Sequence, residues 1–307
     1  MSTELRCVQI GLNSADLTGS LRLYSEVLGF SNAGAQALWG DMIGLQGLTP
    51  DSRAIVWWLV GGQEFFQLEL FHHDKPAQRP MRSDWRPCDH GWVRFGVVID
   101  QFDTRLKALA ELGVVLVGRT EEGVERRRAV FRDPYIGIMI ELIEGHDIAG
   151  PSVVYATSSV GDLEGARHYY ETVIGLDIEP LENLHKPEDE ALWGLAGAER
   201  GGFIARVGDF AIEVLCYSTP SGRPRPSDYR ASDQGMVNIA LNARDVATIK
   251  AMFDKLASHG HVPPKLAEGG GVIGGYITDP ERELEFMSFP PERRAMLGYA
   301  PSNPFFG

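Results

Sequence analysis

Leu17, Leu21, Tyr24 and Leu28 recur at three- and four-residue spacing, which predicts one apolar face of a helix. A short apolar strand and an aspartate, "VQIGLNSAD", stand before this run. The same opening returns at "VRFGVVID", "VYATSSVGD" and "VNIALNARD". Each time the aspartate is placed to start or cap a helix. "LGF", "LGV" and "IGL" close three of these helical stretches, with glycine suited to a left-handed C-terminal residue. Further strands then follow, ending in "QLELF", "MIELI", "AIEVL" and "ELEFM". The pattern predicts four strand–helix–strands modules, each with a curved sheet that must bury one face against a partner.

The modules form a repeat within a repeat. Residues 79 to 93, "RPMRSDWRPCDHGWV", align with 223 to 237, "RPRPSDYRASDQGMV", and "ALWG" occurs at 37 to 40 and at 191 to 194. The chain therefore reads as two duplicated halves, residues 1–146 and 150–292, joined near "EGHDIAGPS". Residues 293–307 have no counterpart in the first half, and their Phe305 and Phe306 are expected to dock on another surface or on a second subunit of a homo-oligomer. The expected fold class is α+β: tandem βαβββ modules paired into two open, mainly antiparallel barrels, one per half.

Composition narrows the function. The chain is 44% hydrophobic and 23% charged, as soluble globular chains are. Its apolar runs are too short for a membrane span, and its start lacks the basic flank and long apolar run of a signal peptide. A net charge of -13 without a lysine or arginine block excludes nucleic acid and anionic membrane as natural partners. Cys7, Cys88 and Cys216 are widely spaced and lack a CxxC pair, so they read as free thiols of a reducing, cytoplasmic setting. A small molecule is the expected partner.

The four strand–Asp–helix openings, the "Y..VLGF" helix ending and the "DP...E" strand ends at Asp133-Pro134 and Asp279-Pro280 carry a resemblance. The chain resembles the vicinal oxygen chelate superfamily: glyoxalase I, bleomycin-resistance proteins, fosfomycin-resistance enzymes and extradiol dioxygenases. The resemblance covers nearly the whole chain, and its four modules in one polypeptide are most similar to the dioxygenases. It implies two modules around a cavity, with metal ligands from the first strand of a module, usually histidine, and from its last strand, usually glutamate. The last-strand positions fall on Glu69, Glu141, Glu213 and Glu285. The first-strand positions fall on Gln9, Arg94, Tyr155 and Asn238, and none is histidine.

A two-histidine iron site is therefore not expected, and no cofactor is. The alternative is a divalent metal (magnesium, manganese or iron), with Gln9, Glu69 and Glu141 as an oxygen-only set. Arginine stays protonated and cannot ligate a metal, so the resemblance puts Arg94 in the cation's place as a structural ion pair with Glu141. Tyr155, Asn238, Glu213, Glu285 and Tyr276 would line the C-terminal cavity as catalytic candidates. His185, in a polar insertion, reads as a surface histidine or as a substrate-binding residue reaching over that cavity, and Arg230 could hold a ligand carboxylate. The functional expectation is a glyoxalase- or dioxygenase-like protein acting on a small, aromatic or other, molecule. The alternatives are a non-catalytic binder of the bleomycin-resistance type and a metal-free acid–base lyase or isomerase.

Overall fold

The computed structural model describes residues 5–121, 123–124 and 126–302. Module 1 comprises β1 (Arg6–Asn13), α1 (Leu17–Leu21), β2 (Ser31–Trp39), β3 (Arg53–Val60) and β4 (Gln67–Lys75). Module 2 comprises β5 (Gly91–Ile99), α2 (Phe102–Glu111), β6 (Leu116–Arg119), β7 (Arg128–Arg132) and β8 (Met139–Glu144). Module 3 comprises β9 (Ser152–Ser159), α3 (Leu163–Arg167), β10 (Asp177–Glu179), β11 (Glu199–Val207) and β12 (Phe210–Thr219). Module 4 comprises β13 (Gly235–Asn242), α4 (Val246–Ser258), β14 (Ala267–Gly269), β15 (Val272–Ile277) and β16 (Leu284–Ser288). This is the expected α+β array of βαβββ units. The helices α1 and α3 each run on into wider π-helical turns, Arg22–Val27 and His168–Ile174.

Asp16, Asp162 and Asp245 cap α1, α3 and α4 by accepting the backbone N–H of Gly19 (3.0 Å), Gly165 (3.0 Å) and Thr248 (2.9 Å). The second module departs from this pattern. Asp100 binds Arg105 instead, and α2 is entered through Gln101 in a left-handed conformation.

In each module the first and last strands lie side by side in parallel, and the remaining pairs are antiparallel. Modules join through their first strands, and here the expected halves are corrected. β1 pairs with β13, and β5 with β9, both antiparallel. One eight-stranded sheet thus unites modules 1 and 4, in the order β14-β15-β16-β13-β1-β4-β3-β2, and the other unites modules 2 and 3. Neither 1–146 nor 150–292 closes on itself. The duplicated arms at 79–93 and 223–237 are the cause, because they carry the chain from one sheet to the other and back, while the linker near residue 148 stays within one sheet.

Period-two alternation sorts the side chains of each sheet. Ile10, Leu12, Leu68 and Leu70 of the outer-module sheet meet Phe95, Val97, Ile140 and Leu142 of the inner-module sheet and the helices in one shared core. The intervening residues, including Gln9, Glu69, Arg94 and Glu141, face away from that core. The tail packs back onto the outer sheet, where Tyr299 is buried and Ser302 donates its N–H to Asn32. Phe305 and Phe306 lie outside the described residues. No helix among the described residues is long and apolar enough to cross a membrane.

Candidate functional site

The two sheets treat the same inherited positions in opposite ways. In the inner-module sheet, register places Arg94 opposite Thr157, and Gly96 between Glu141 and Tyr155. Arg94 is fully buried. It donates to Glu213 at 2.9 Å, to Thr157 at 3.2 Å and to Glu190 at 3.5 Å, and its guanidinium lies 3.7 Å above the Trp193 ring. The expected Arg94–Glu141 pair is not formed. Glu141 instead accepts from Arg128 on the neighbouring strand β7 and from the Tyr155 hydroxyl.

His185 completes this cluster. The 181–195 insertion folds over the concave face and buries the imidazole, so it is no surface histidine. Its Nδ1 lies 2.9 Å from Glu213 and its Nε2 lies 3.4 Å from Glu141. A cation supplied by the chain thus bridges two last-strand glutamates. Burial alone would lower the pKa of His185, but the carboxylates of Glu213 and Glu141 more than offset it and hold the group above its ordinary value. Glu141 drops to about 2 despite its burial, through His185, Arg128 and Tyr155. Glu213 is likewise held well below the carboxylate range. Glu141 and Glu213, the last-strand glutamates of this sheet, are engaged by protein cations and hydroxyls, so this sheet does not fit a metal ion.

The outer-module sheet is different. Gln9 donates one amide nitrogen to both Glu69 (2.6 Å) and Glu285 (3.1 Å). Glu69 also accepts from the Trp58 indole at 2.8 Å. Tyr299 from the tail donates to Gln9 at 3.0 Å and closes the site from above. Asn238 lies over Gly11, whose missing Cβ leaves room for the amide, and both its polar atoms are buried without a partner. Tyr276 stands opposite Glu285 on the adjacent strand.

No cation is paired with either carboxylate among the described residues. Burial therefore pushes Glu69 up to about 7 and Glu285 well above its ordinary value, with the neighbouring Glu69 adding to the effect on Glu285. With the Gln67 amide turned over, its nitrogen donates to the Gly298 carbonyl at 2.6 Å and to that of Leu297 at 3.0 Å, and its oxygen faces Gln9. Gln9 would then turn its own oxygen to the two carboxyls, which must be protonated to donate to it.

The fit to a metal follows from the donors. Glu69, Glu285, Gln9 and Asn238 offer oxygens alone, which suits magnesium or manganese and not a two-histidine iron centre. Glu141 belongs to the other sheet and drops out of the oxygen set that the sequence suggested. The catalytic candidates divide in the same way: Asn238, Glu285 and Tyr276 share the outer sheet, and Tyr155 and Glu213 the inner one. Arg230 is in neither site. It closes a turn with Asp233 and donates to the Ala77 carbonyl. Sequence reasoning missed Arg128, although the period of two in "RAVFR" puts Arg128 on the same face as Val130 and Arg132. It also missed Trp58, Gln67 and Tyr299, for which only the apolar "MLGY" of the tail was a signal.

No family model and no curated protein matches this chain. Solved structures do. Glyoxalase I from Zea mays superposes with a TM-score of 0.59 at 15% identity, covering 95% of this chain and 94% of that one. A Bacillus subtilis protein provisionally labelled a dioxygenase gives 0.57 at 17% identity, covering 94% and 86%. With four βαβββ modules paired through their first strands, the chain has the fold of the vicinal oxygen chelate proteins.

Proposed function

We propose that this protein moves protons on a small molecule in the glyoxalase manner, at the Glu69–Glu285 pair of the outer-module sheet. One observation carries the reading. The chain neutralises the last-strand glutamates of its inner sheet with Arg94, Arg128 and His185, yet among the described residues those of its outer sheet have no cation. A merely structural core gains nothing from two unpaired buried carboxylates. A carboxyl titrating near 7 is suited to act as general base or acid at neutral pH. Glu69 would take a proton from carbon or oxygen, and Glu285 would return it, with Gln9 aligning the two groups. The Asn238 amide and the Tyr276 hydroxyl would orient the substrate. Substrate entry requires Tyr299 and the adjoining tail to move aside. A magnesium or manganese ion, if held by Glu69, Glu285 and Gln9, would supply polarisation of a substrate oxygen.

Deuterium uptake tests the reading. Small hydroxyketones and aryl ketones are incubated with the protein in D2O, with chelator or with manganese, and followed by NMR. Uptake is expected with wild type and is lost in Glu69→Gln and Glu285→Gln. Uptake that persists in both variants moves the chemistry elsewhere. Binding of these compounds without any uptake would instead mean a non-catalytic binder.

A further inference from the structure

The two duplicated arms exchange across the internal two-fold axis. Arg79 of the first arm donates to Asp233 at 2.8 Å and also binds Asp228, both in the second arm. Arg223 of the second arm donates to Asp89 at 3.0 Å and to Asp84 at 2.5 Å in the first. These reciprocal bonds border a half-open cavity of about 210 Å3 between the arms, and none of its lining residues belongs to either glutamate cluster. This is many times the space that a single water needs.

The arms are near copies, but the residues they bring to the cavity differ at Met81/Arg225, Arg82/Pro226, Trp85/Tyr229 and His90/Gln234. Met81 in the first arm corresponds to Arg225 in the second. Each leans over the glycine of the opposite arm. A Cβ on Gly235 would come within 3.2 Å of Met81, and one on Gly91 would overlap the Arg225 guanidinium. Both glycines have positive φ, 136° and 111°, so the close approach is built into the backbone. Met81 and Trp85 of the first arm give the cavity an apolar wall, edged by Arg82 and by Arg132 over the Trp85 ring, and Arg225 takes the place of Met81 on the second arm.

Arg225 is in no ion pair among the described residues. It stacks 4.2 Å from the Tyr229 ring centroid and gives one N–H to the Met236 carbonyl at 3.2 Å. Most of its five donors remain unused. Glu283, the carboxyl whose charge it would feel, is pushed up to about 8 by burial and is largely uncharged at neutral pH. A guanidinium without a counter-ion, in a protein of net charge -13, is therefore presented to a cavity with aromatic walls.

We propose that this axial cavity is a second ligand site, taking a small planar aromatic carboxylate with its ring against Met81 and Trp85 and its carboxylate on Arg225. Guanidinium and carboxylate pair through two parallel hydrogen bonds, and the ring replaces water on apolar surface. The site stands independently of the Glu69–Glu285 chemistry.

Calorimetry with benzoate, 2-naphthoate and benzamide tests it. One carboxylate is expected to bind per chain, at least tenfold tighter than benzamide. Arg225→Met, which copies the first arm, should remove that preference while leaving thermal stability intact. Glu69→Gln should bind benzoate as wild type does, which separates this site from the other. Trp85→Phe should keep the preference, with a smaller change of indole fluorescence on binding than the wild type, since Trp92 also lines the cavity. Equal affinity for benzoate and benzamide in the wild type overturns the proposal, whatever the variants do. So does a folded Arg225→Met that binds benzoate unchanged, or a failure of both carboxylates to bind.

Discussion

Replacing Glu69 by glutamine should stabilise the protein at alkaline pH, which is unusual for a buried, hydrogen-bonded residue. The carboxyl is 8% exposed and its pKa rises from an ordinary 4.5 to about 7 on folding. Between these values the folded chain holds a proton that the unfolded chain has released. Stability is therefore full below pH 4.5 and falls as pH rises through 7. At about 1.4 kcal/mol per pH unit the difference is worth roughly 3 kcal/mol above pH 7. Glutamine keeps the shape and still accepts from Trp58, and the Gln9 amide can turn its oxygen to the new NH2. The variant avoids the charging cost, so its advantage should be near zero at pH 4.5 and reach roughly 3 kcal/mol at pH 8.5. Urea unfolding at several pH values, with unchanged m, measures this directly. A variant that is less stable than wild type at pH 8.5, or a difference independent of pH, would refute the assignment of an unneutralised carboxylate pair.

The inner sheet should respond with the opposite sign. His185→Ala leaves Glu141 and Glu213 short of one buried cation and should cost about 3–5 kcal/mol near pH 5.5. Because the His185 pKa is raised, that contribution is full below about 6.5 and is lost as pH rises through the folded value, so the wild-type and variant unfolding curves converge in alkali. Arg94→Ala leaves Glu213 with His185 alone and Glu190 with Arg200 alone as cationic partners and should destabilise by about 3–5 kcal/mol, with no such convergence, since guanidinium does not titrate there. Ending the chain at Pro290 removes Tyr299 from Gln9 and uncovers Trp58, which should red-shift the tryptophan emission; an unchanged spectrum would mean the tail does not shield the site. Manganese at about a hundred times its Kd should raise wild-type stability by about 2.7 kcal/mol, and Glu69→Gln should abolish the rise; no rise in wild type would leave the oxygen set without a metal role.

Much of this architecture is legible in the chain. Period-two strands and the aspartate caps mark the four modules, and the glutamates at 69, 141, 213 and 285 mark their last strands. The positions of Gln9, Tyr155 and Asn238 were also readable, because they share one offset from Asp16, Asp162 and Asp245, and that of Arg94 from the match of its strand to "VNIAL". The pairing of modules was not. β1, β5, β9 and β13 are all apolar first strands, and each would suit any of the others as a neighbour. The choice is made by the arms, whose crossing depends on Arg79 and Arg223 finding aspartates about 150 residues away. The partner of Arg94 was misread for the same reason: once modules 2 and 3 share a sheet, Glu213 lies nearer to hand than the sequence suggests. His185 was hidden by its polar surroundings, since "LENLHKPEDE" has the composition of a surface loop and only its docking buries the imidazole.

The exchange of modules also sets an order for biosynthesis. A chain emerging from the ribosome completes modules 2 and 3 together, and β5 can meet β9 as soon as about sixty residues separate them. β1 is made first and must wait for β13, about four times as far along the chain, which adds about 1.2 kcal/mol of loop-closure entropy. Until then β1 offers an open, apolar edge to whatever it meets, including the β1 of a neighbouring nascent chain. Slow translation or truncation before residue 242 would thus present a ready-made seed for aggregation, and a chaperone engaging this protein would find its client in residues 6 to 75.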